Sequence, residues 1–335
     1  MSHPRLSTSI LLACSAMVAG ARFAAGQSGA GSIDRLDPGL DSIVPKDAKI
    51  EKIAGGFEFI EAPLWRPDGH VWFSDVLGNV VRSVTPDGNV EVLIKNAGGE
   101  SKGPHGGYVG PNGMVGDKDG TVLLCQHTNR RIVRVAKDLK TSVYLDKFEG
   151  KRFNSPNDLV FRSDGALYFT DPPFGLPKGD ADPAKEIKFN GVYRYANGKV
   201  EAIVKDLTSP NGIAFSPDGK VLYVSNTQPE AYWMRYDVAP DGSVSGGRRF
   251  ADASGVKGPG VPDGMKVDSK GNVYGTGPGG VLVFSPSGKH LGTIKVPEVA
   301  ANCGWGDDGN SLYITASTSM YRVRLSVAGE KPTYK

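Results

Sequence analysis

The chain has 335 residues, a net charge of +3 at neutral pH and 39% hydrophobic residues, a length that suits two average domains or one large all-β domain. So mild a positive balance, scattered along the chain, excludes a nucleic-acid surface built on charge. Three cysteines exclude a disulfide framework, and they lack the paired Cys or His spacing of a structural zinc site.

At the start, Arg5 precedes the apolar run ILLACSAMVAGA, and Ala24, Ala25 and Gly26 follow it. This pattern predicts a secretory signal peptide over residues 1–26, too short to span a membrane, and a periplasmic or secreted mature protein beginning near Gln27. Leu11-Leu12-Ala13-Cys14 loosely resembles a lipoprotein cleavage box, but the apolar run ahead of it is very short, so lipid anchoring is not expected. Residues 27–42, rich in Gly, Ser and Asp, read as a flexible leader, and residues 43–335 as one domain. Removal of the signal leaves Cys125 and Cys303 in strand-like apolar contexts, where a thiol serves as a small hydrophobe.

From residue 57 onward the chain repeats. PLWRPDGHVWFSDV, NGMVGDKDGTVLLCQH, NDLVFRSDGALYFTDP, NGIAFSPDGKVLYVSNT, DGMKVDSKGNVYGTGP and NCGWGDDGNSLYITAS align on Gly69, Gly120, Gly165, Gly219, Gly271 and Gly309, which fall 38 to 54 positions apart. The segments are rich in Val, Ile, Phe and Tyr and bounded by Gly, Pro, Asp and Asn, the chemistry of strands and hairpins. A period of about 40–50 residues, each unit a few antiparallel strands, fits one blade of a β-propeller. Six units predict an all-β, six-bladed ring with a central metal site. The sixth unit is short of strands, so the segment AKIEKIA, ending at Ala54, is expected to close the ring from the N-terminal side.

Eight residues ahead of each turn glycine stands one slot, occupied by Glu61, Asn112, Asn157, Asn211, Asp263 and, in the sixth copy, Ala301 with Asn302 beside it. The innermost strand of each blade is expected to begin there, so the slots converge on one mouth of the channel. Singly, an Asn before Gly is ordinarily a turn former, and Glu61 a solvated strand-end carboxylate. Jointly they form an oxygen set with two negative charges. Such a set suits Ca²⁺, with Mg²⁺, Mn²⁺ or Zn²⁺ as alternatives.

His127, with Arg130 and Arg131, ends the strand VLLCQH. It reads either as a polar wall that hydrogen-bonds substrate hydroxyls or a carbonyl oxygen, or as a histidine satisfied by backbone groups between blades. Asn112 and Asn157 are candidate substrate contacts too. His105, in the Gly-rich loop SKGPHGGYVGPNG, leads into the second slot, and that loop is either a lid or plain turns. Asp171 is expected to make structural hydrogen bonds. The insertion from Pro172 to Asn190 reads as a flap beside the channel mouth or as solvated surface.

FEFIEAPLWRPDGHVWFSDV, EGKRFNSPNDLVFRSDGALYFTDPPFGL, SPNGIAFSPDGKVLYVSNT and VPDGMKVDSKGNVYGTGPGGVLVFSPSGKHLG together resemble the gluconolactonase/senescence-marker-protein (regucalcin-like) family of six-bladed propellers, across essentially the whole mature chain. Carried over position by position, the resemblance implies Glu61, Asn211 and Asp263 as metal ligands with Asn157 in or beside the set, a divalent cation, usually calcium, and hydrolysis of sugar-acid lactones. Asp263 matches the family's proposed base. Animal members place an arginine where Ser155 stands, and NSPND resembles the bacterial gluconolactonase branch instead.

Lactone hydrolysis needs a group that polarises the carbonyl and a base that deprotonates water, and Asp263 suits the second role. Ser155, Ser209 and His127 lack the turn that presents a serine nucleophile. Two other readings stay open: a hydrolase of other esters or organophosphates on the same metal site, and a non-catalytic propeller that keeps calcium as a plug. The expected partner is a small-molecule lactone, with no nucleic acid and no membrane span.

Overall fold

The computed structural model describes residues 30–100 and 108–329. The expected signal peptide and His105 lie outside the described residues.

Six antiparallel sheets form the blades, each with its inner strand at the centre. Blade one runs Ile60–Trp65, Val71–Asp75, Val80–Val84 and Val90–Lys95; blade two begins at Pro111–Gly116, blade three at Leu159–Phe161, blade four at Pro210–Phe215, blade five at Met265–Val267 and blade six at Ala300–Gly306. The six inner strands contact one another in sequence, and blade six returns to blade one. This is a closed six-bladed β-propeller. Ile50–Gly55 lies antiparallel to Ser319–Arg324 as the outer strand of blade six.

Each first hairpin turns on the aligned glycine. All six have φ between 66° and 97°, the left-handed region that a side chain opposes. The second strands are buried on both faces; Val122–Gln126 is buried at every position, because each blade is covered by a neighbour on either side. The apolar core is accordingly divided into six clusters, one per blade interface. Leu123, Phe153 and Phe169 fill the gap between blades two and three, for example, and Ile53, Phe73 and Tyr313 that between blades six and one.

The leader expected over residues 27–42 must be corrected from residue 30 onward. Ser32–Arg35 pairs with His290–Lys295 as a fifth strand of blade five, and a 3-10 turn, Pro38–Ser42, follows, capped by the Asp37 side chain accepting the Gly39 N–H at 2.8 Å. Leu40, fully buried, joins Ile43 and Val44 between blades five and six. The polar composition concealed the reason. Three apolar residues at close spacing anchor the segment, and its backbone covers a sheet edge that would otherwise be open.

The insertion after Pro172 is ordered, with Leu176 and Ile187 buried. Phe174 reaches the channel mouth. No helix among the described residues is long and apolar enough to cross a membrane.

Candidate functional site

Glu61, Asn112, Asn157, Asn211 and Asp263 line one cavity of about 290 Å³ at a mouth of the channel, and His127 stands in its wall. The slot register brings these five residues together, and His127 reaches the cavity from just past the end of the second strand of blade two. Asn157 and Asp263 fall two residues ahead of their strands rather than on them. In blades one, two, four and six the pairing slips at or beside the slot, as at Glu61/Leu64 and Pro210/Ile213. Such bulges re-aim a side chain out of the regular alternation. Here they turn the slot residues toward the axis.

The glycines after the slots are not turn residues. A Cβ on Gly113 would run into the carbonyl oxygen of Asn157, one on Gly212 into that of Asp263, and one on Gly264 into the Asn302 side chain. Glycine there lets each inner strand approach the next blade's slot. A buried row of hydroxyls completes the joint: Ser74 donates to the carbonyl of Asn112 at 2.6 Å, Thr170 to Asn211 at 2.7 Å, Ser225 to Asp263 at 2.7 Å and Thr276 to Ala301 at 2.9 Å. The second strands of blades one, three, four and five thus hold the following blade's slot, while in blade six Thr315 donates to the Asn302 carbonyl of its own blade. The alignment contained the signal, a Ser or Thr 13 or 14 residues past the slot in five of the six repeats.

The loops that enter the slots are pinned by the last residue of the second strand. Asp75 Oδ1 accepts the N–H groups of Glu58 and Phe59, Asp171 those of Asn154 and Ser155 at 2.8 Å each, and Asn226 that of Ser209. Asp171 therefore has the structural part expected of it. Ser155 accepts the Gly175 N–H and donates to Pro172, which fastens the insertion. Arg130 donates to the carbonyls of Phe153, Asn154 and Ala184, and Arg131 to Gln126. Neither arginine lines the cavity. Cys125 and Cys303 are buried free thiols, both raised in pKa by burial.

Charge inside the site is unbalanced. Glu61 is buried and pushed up to about 7 by desolvation, with the Asp158 carboxyl adding to the effect and Asn302 opposing it. Asp263 is raised well above the usual carboxylate range by desolvation and then by Glu61 and Asp158. Neither makes an ion pair among the described residues. Asp158, next to Asn157, is a third buried carboxyl, and its Oδ2 has no hydrogen-bond partner. Burial raises its pKa, and the Lys266 charge is the strongest influence pulling the other way, toward the ionised form. Asp158 and Asn302 stood at the position taken by glycine in three repeats, which was the signal for them in the sequence.

These residues fit a hard divalent cation. Two carboxyls with raised proton affinity and no ion-pair partner among the described residues, beside carboxamides that can present oxygen, are the donors such an ion takes. Glu61, Asp263, Asn157 and Asn211 would supply them. His127 is buried and held neutral, its pKa lowered to about 4 by burial. Its Nδ1–H donates to the Tyr108 carbonyl at 3.2 Å, and Nε2 has no partner.

Phe59, Tyr108, Phe174 and Val261 form an apolar wall, with Phe59 and Tyr108 ring centroids 5.5 Å apart, and Thr227 and Gln228 a polar one. Sequence spacing did not mark these residues, because they lie on loops outside the repeat frame. An oxygen-rich floor beneath aromatic walls suits a small, polar, ring-shaped ligand.

Comparison with known proteins agrees with this architecture. A gluconolactonase of Zymomonas mobilis is 38% identical over 312 residues, covering 89% of this chain and 87% of that protein. The solved structure of a gluconolactonase from Xanthomonas campestris superposes with a TM-score of 0.78 at 30% identity, covering 90% of this chain and 98% of that one. A calcium-binding regucalcin of Agrobacterium tumefaciens shares the fold, with a TM-score of 0.64 at 18% identity over 84% of this chain and 98% of its own. Residues 59–318 match the SMP-30/gluconolactonase/LRE-like region, and the chain belongs to that family.

Proposed function

We propose that the protein hydrolyses sugar-acid lactones with the help of a divalent metal, calcium first among the candidates, and with Asp263 as general base. Family membership and the gluconolactonase relatives support a lactone hydrolase. The observation that carries the finer reading is the convergence of Glu61, Asn157, Asn211 and Asp263 on one cavity floor, where the two acids make no ion pair among the described residues.

Glu61, Asn157, Asn211 and Asp263 would hold the cation. When bound, it polarises the lactone carbonyl and favours the negative charge that develops on its oxygen. Asp263 takes a proton from water as the water oxygen bonds to the carbonyl carbon. The ring C–O bond then breaks, and its oxygen is protonated to give the hydroxy acid. Without the cation, burial and the neighbouring Glu61 and Asp158 carboxyls raise the proton affinity of Asp263; with the cation bound that rise is opposed, and the carboxylate stays ionised, ready to accept a proton. The aromatic wall of Phe59, Tyr108 and Phe174 takes the apolar face of the ring, while Asn112 and the neutral His127 offer polar contacts to its hydroxyls.

Five- and six-membered aldonolactones should be opened by the purified protein, with activity lost to chelator and restored by Ca²⁺. A full rate in chelator, with metal analysis showing none bound, would remove the metal from this reading. Activity on aryl esters or organophosphates in place of lactones would move the substrate class while leaving the site intact. In the same reading the first 26 residues export the chain, and a mature N-terminus at Gln27 in the periplasm or medium is the check.

A further inference from the structure

We propose that Thr227, which touches neither proposed acid, sets which way the carboxamides of Asn211 and Asn157 face and thereby presents Asn157 Oδ1 to the cation. The inference rests on the metal site proposed above. It starts from a carbonyl. Thr227 Oγ1 lies 2.8 Å from the Pro262 oxygen and 3.0 Å from Asn211 Nδ2. A carbonyl oxygen only accepts, so the single hydroxyl proton of Thr227 is committed to Pro262. What Thr227 offers Asn211 is a lone pair.

Asn211 must therefore turn its NH₂ toward Thr227, and the Asp263 carboxyl, which it also meets, requires the same orientation. Its oxygen is left facing the other way. There Asn157 Nδ2 donates to Asn211 Oδ1 at 3.0 Å, which places the Asn157 amide nitrogen against its neighbour and leaves Oδ1 as the acceptor still available on that side chain. Each link in this chain runs in one direction: Asn157 to Asn211, Asn211 to Thr227, Thr227 to Pro262. Carboxamide oxygen and nitrogen are close in size, so sterics alone would not choose between the two orientations. The chain chooses the one that a cation needs.

Thr227 also ties the two blades at the point that matters. It follows the second strand of blade four, and its acceptor, Pro262, is bonded directly to Asp263. One hydroxyl thus couples the orientation of the amide pair to the backbone that carries the proposed base. Thr227 is a positioning residue, and partners of this kind change metal affinity by about ten- to a hundred-fold when removed.

Calcium titration calorimetry on the full mature protein tests this directly. Thr227→Val keeps the shape and removes both hydrogen bonds, and it should weaken Ca²⁺ by at least about ten-fold, whereas Thr227→Ser should stay close to wild type. Asn157→Ala should also cost less affinity in the Thr227→Val background than in wild type, because its oxygen is then no longer held toward the ion. Wild-type affinity in Thr227→Val, equal losses in the Ser and Val variants, or strict additivity with Asn157→Ala would each overturn the proposal. The thermal midpoint without calcium reads folding separately, and should Thr227→Val fail to fold, the comparison of Thr227→Ser with Thr227→Ala decides. A wild-type protein that binds no calcium, magnesium or manganese would instead refute the metal site itself.

Discussion

The same six inner strands end in two very different mouths. At their beginnings they carry Glu61, Asn112, Asn157, Asn211 and Asp263 around the 290 Å³ cavity, while their far ends enclose a smaller one, of about 120 Å³, lined by Trp65, Phe161, Phe215 and Trp305 among mainly apolar neighbours. Strand order, pairing and radius are shared, so the difference lies in what the adjoining elements do. At the polar mouth, the ends of the second strands supply carboxylates, amides and hydroxyls that fix the entering loops, as Asp171 and Ser225 do. At the apolar mouth the strands run into hairpin turns, and mainly apolar side chains fill the space. Trp305, for example, bonds the Val267 carbonyl and meets Tyr274 edge to face at 5.0 Å. The proposed chemistry lies at the end where a row of directed hydrogen bonds holds the entering loops.

The largest effect that would sharpen this contrast is expected at Asp263. Asp263→Asn keeps an oxygen ligand and removes the base, so turnover measured at saturating Ca²⁺ should fall by about 10²–10⁴-fold. Turnover that survives with metal in place would put the base elsewhere. Asp263→Ala should weaken the cation more than Asn157→Ala, because it deletes one of the two carboxylates proposed to ligate it, whereas Asn157 is neutral.

The reverse dissociation is expected at the other mouth. Trp305→Ala should cost about 3–5 kcal/mol of stability, read by denaturant unfolding, yet leave the calcium affinity of the folded protein unchanged. A large affinity loss would mean that the two mouths are coupled through the channel, where Lys266, lining the apolar cavity, is also the chief cation acting on Asp158.

A smaller effect is expected on the outer rim. Leu40→Ala should cost about 2–5 kcal/mol, since the side chain is fully buried between blades five and six. Removing residues 43–56, which include the blade-six strand Ile50–Gly55, should be more damaging than removing residues 30–38. Equal melting temperatures for the two deletions would contradict the idea that this strand locks the ring.

The six-bladed ring and the slot residues were legible because both follow a strict register. A strand period of two and a turn glycine with positive φ recur in every copy, and the eight-residue offset survives even where Ala301 leaves a slot without a polar group. The rest depends on relations between copies. Ser74 acts on Asn112 and Ser225 on Asp263, across blade boundaries that no local pattern marks. The Asn-Gly and Asp-Gly pairs carry ordinary turn chemistry in a sequence, and only the neighbouring backbone shows that Gly113 and Gly212 are there for close approach. Phe59, Tyr108 and Phe174 come from loops of unequal length, so no spacing ties them to the slots. The order of the leader is hidden for a related reason: Leu40 is its one buried apolar residue among those described, it forms a periodic face with nothing in the segment, and the surface that buries it lies some 250 residues away, on His290–Lys295 and its neighbours.

The least of the expected effects concerns a carboxyl at the edge of the site. Burial raises Asp171 to about 7, outweighing the Asn154 and Ser155 N–H groups and the Arg130 charge, which pull the other way. In the unfolded chain the same carboxyl returns to about 3.9. Between these values the folded protein holds a proton that the unfolded chain has released, so the contribution of this group to stability is full below about pH 4 and is lost as the pH rises through 7. The melting temperature of wild type minus that of Asp171→Asn should therefore decline across this window, since the amide has no proton to lose there. A difference that stays flat from pH 4 to pH 8 would show that Asp171 is already ionised in the folded state, held by its two N–H donors and Arg130 more firmly than burial opposes. The loop that carries Asn154 and Ser155 into the slot at Asn157 would then be pinned by a full charge rather than by a neutral carboxyl.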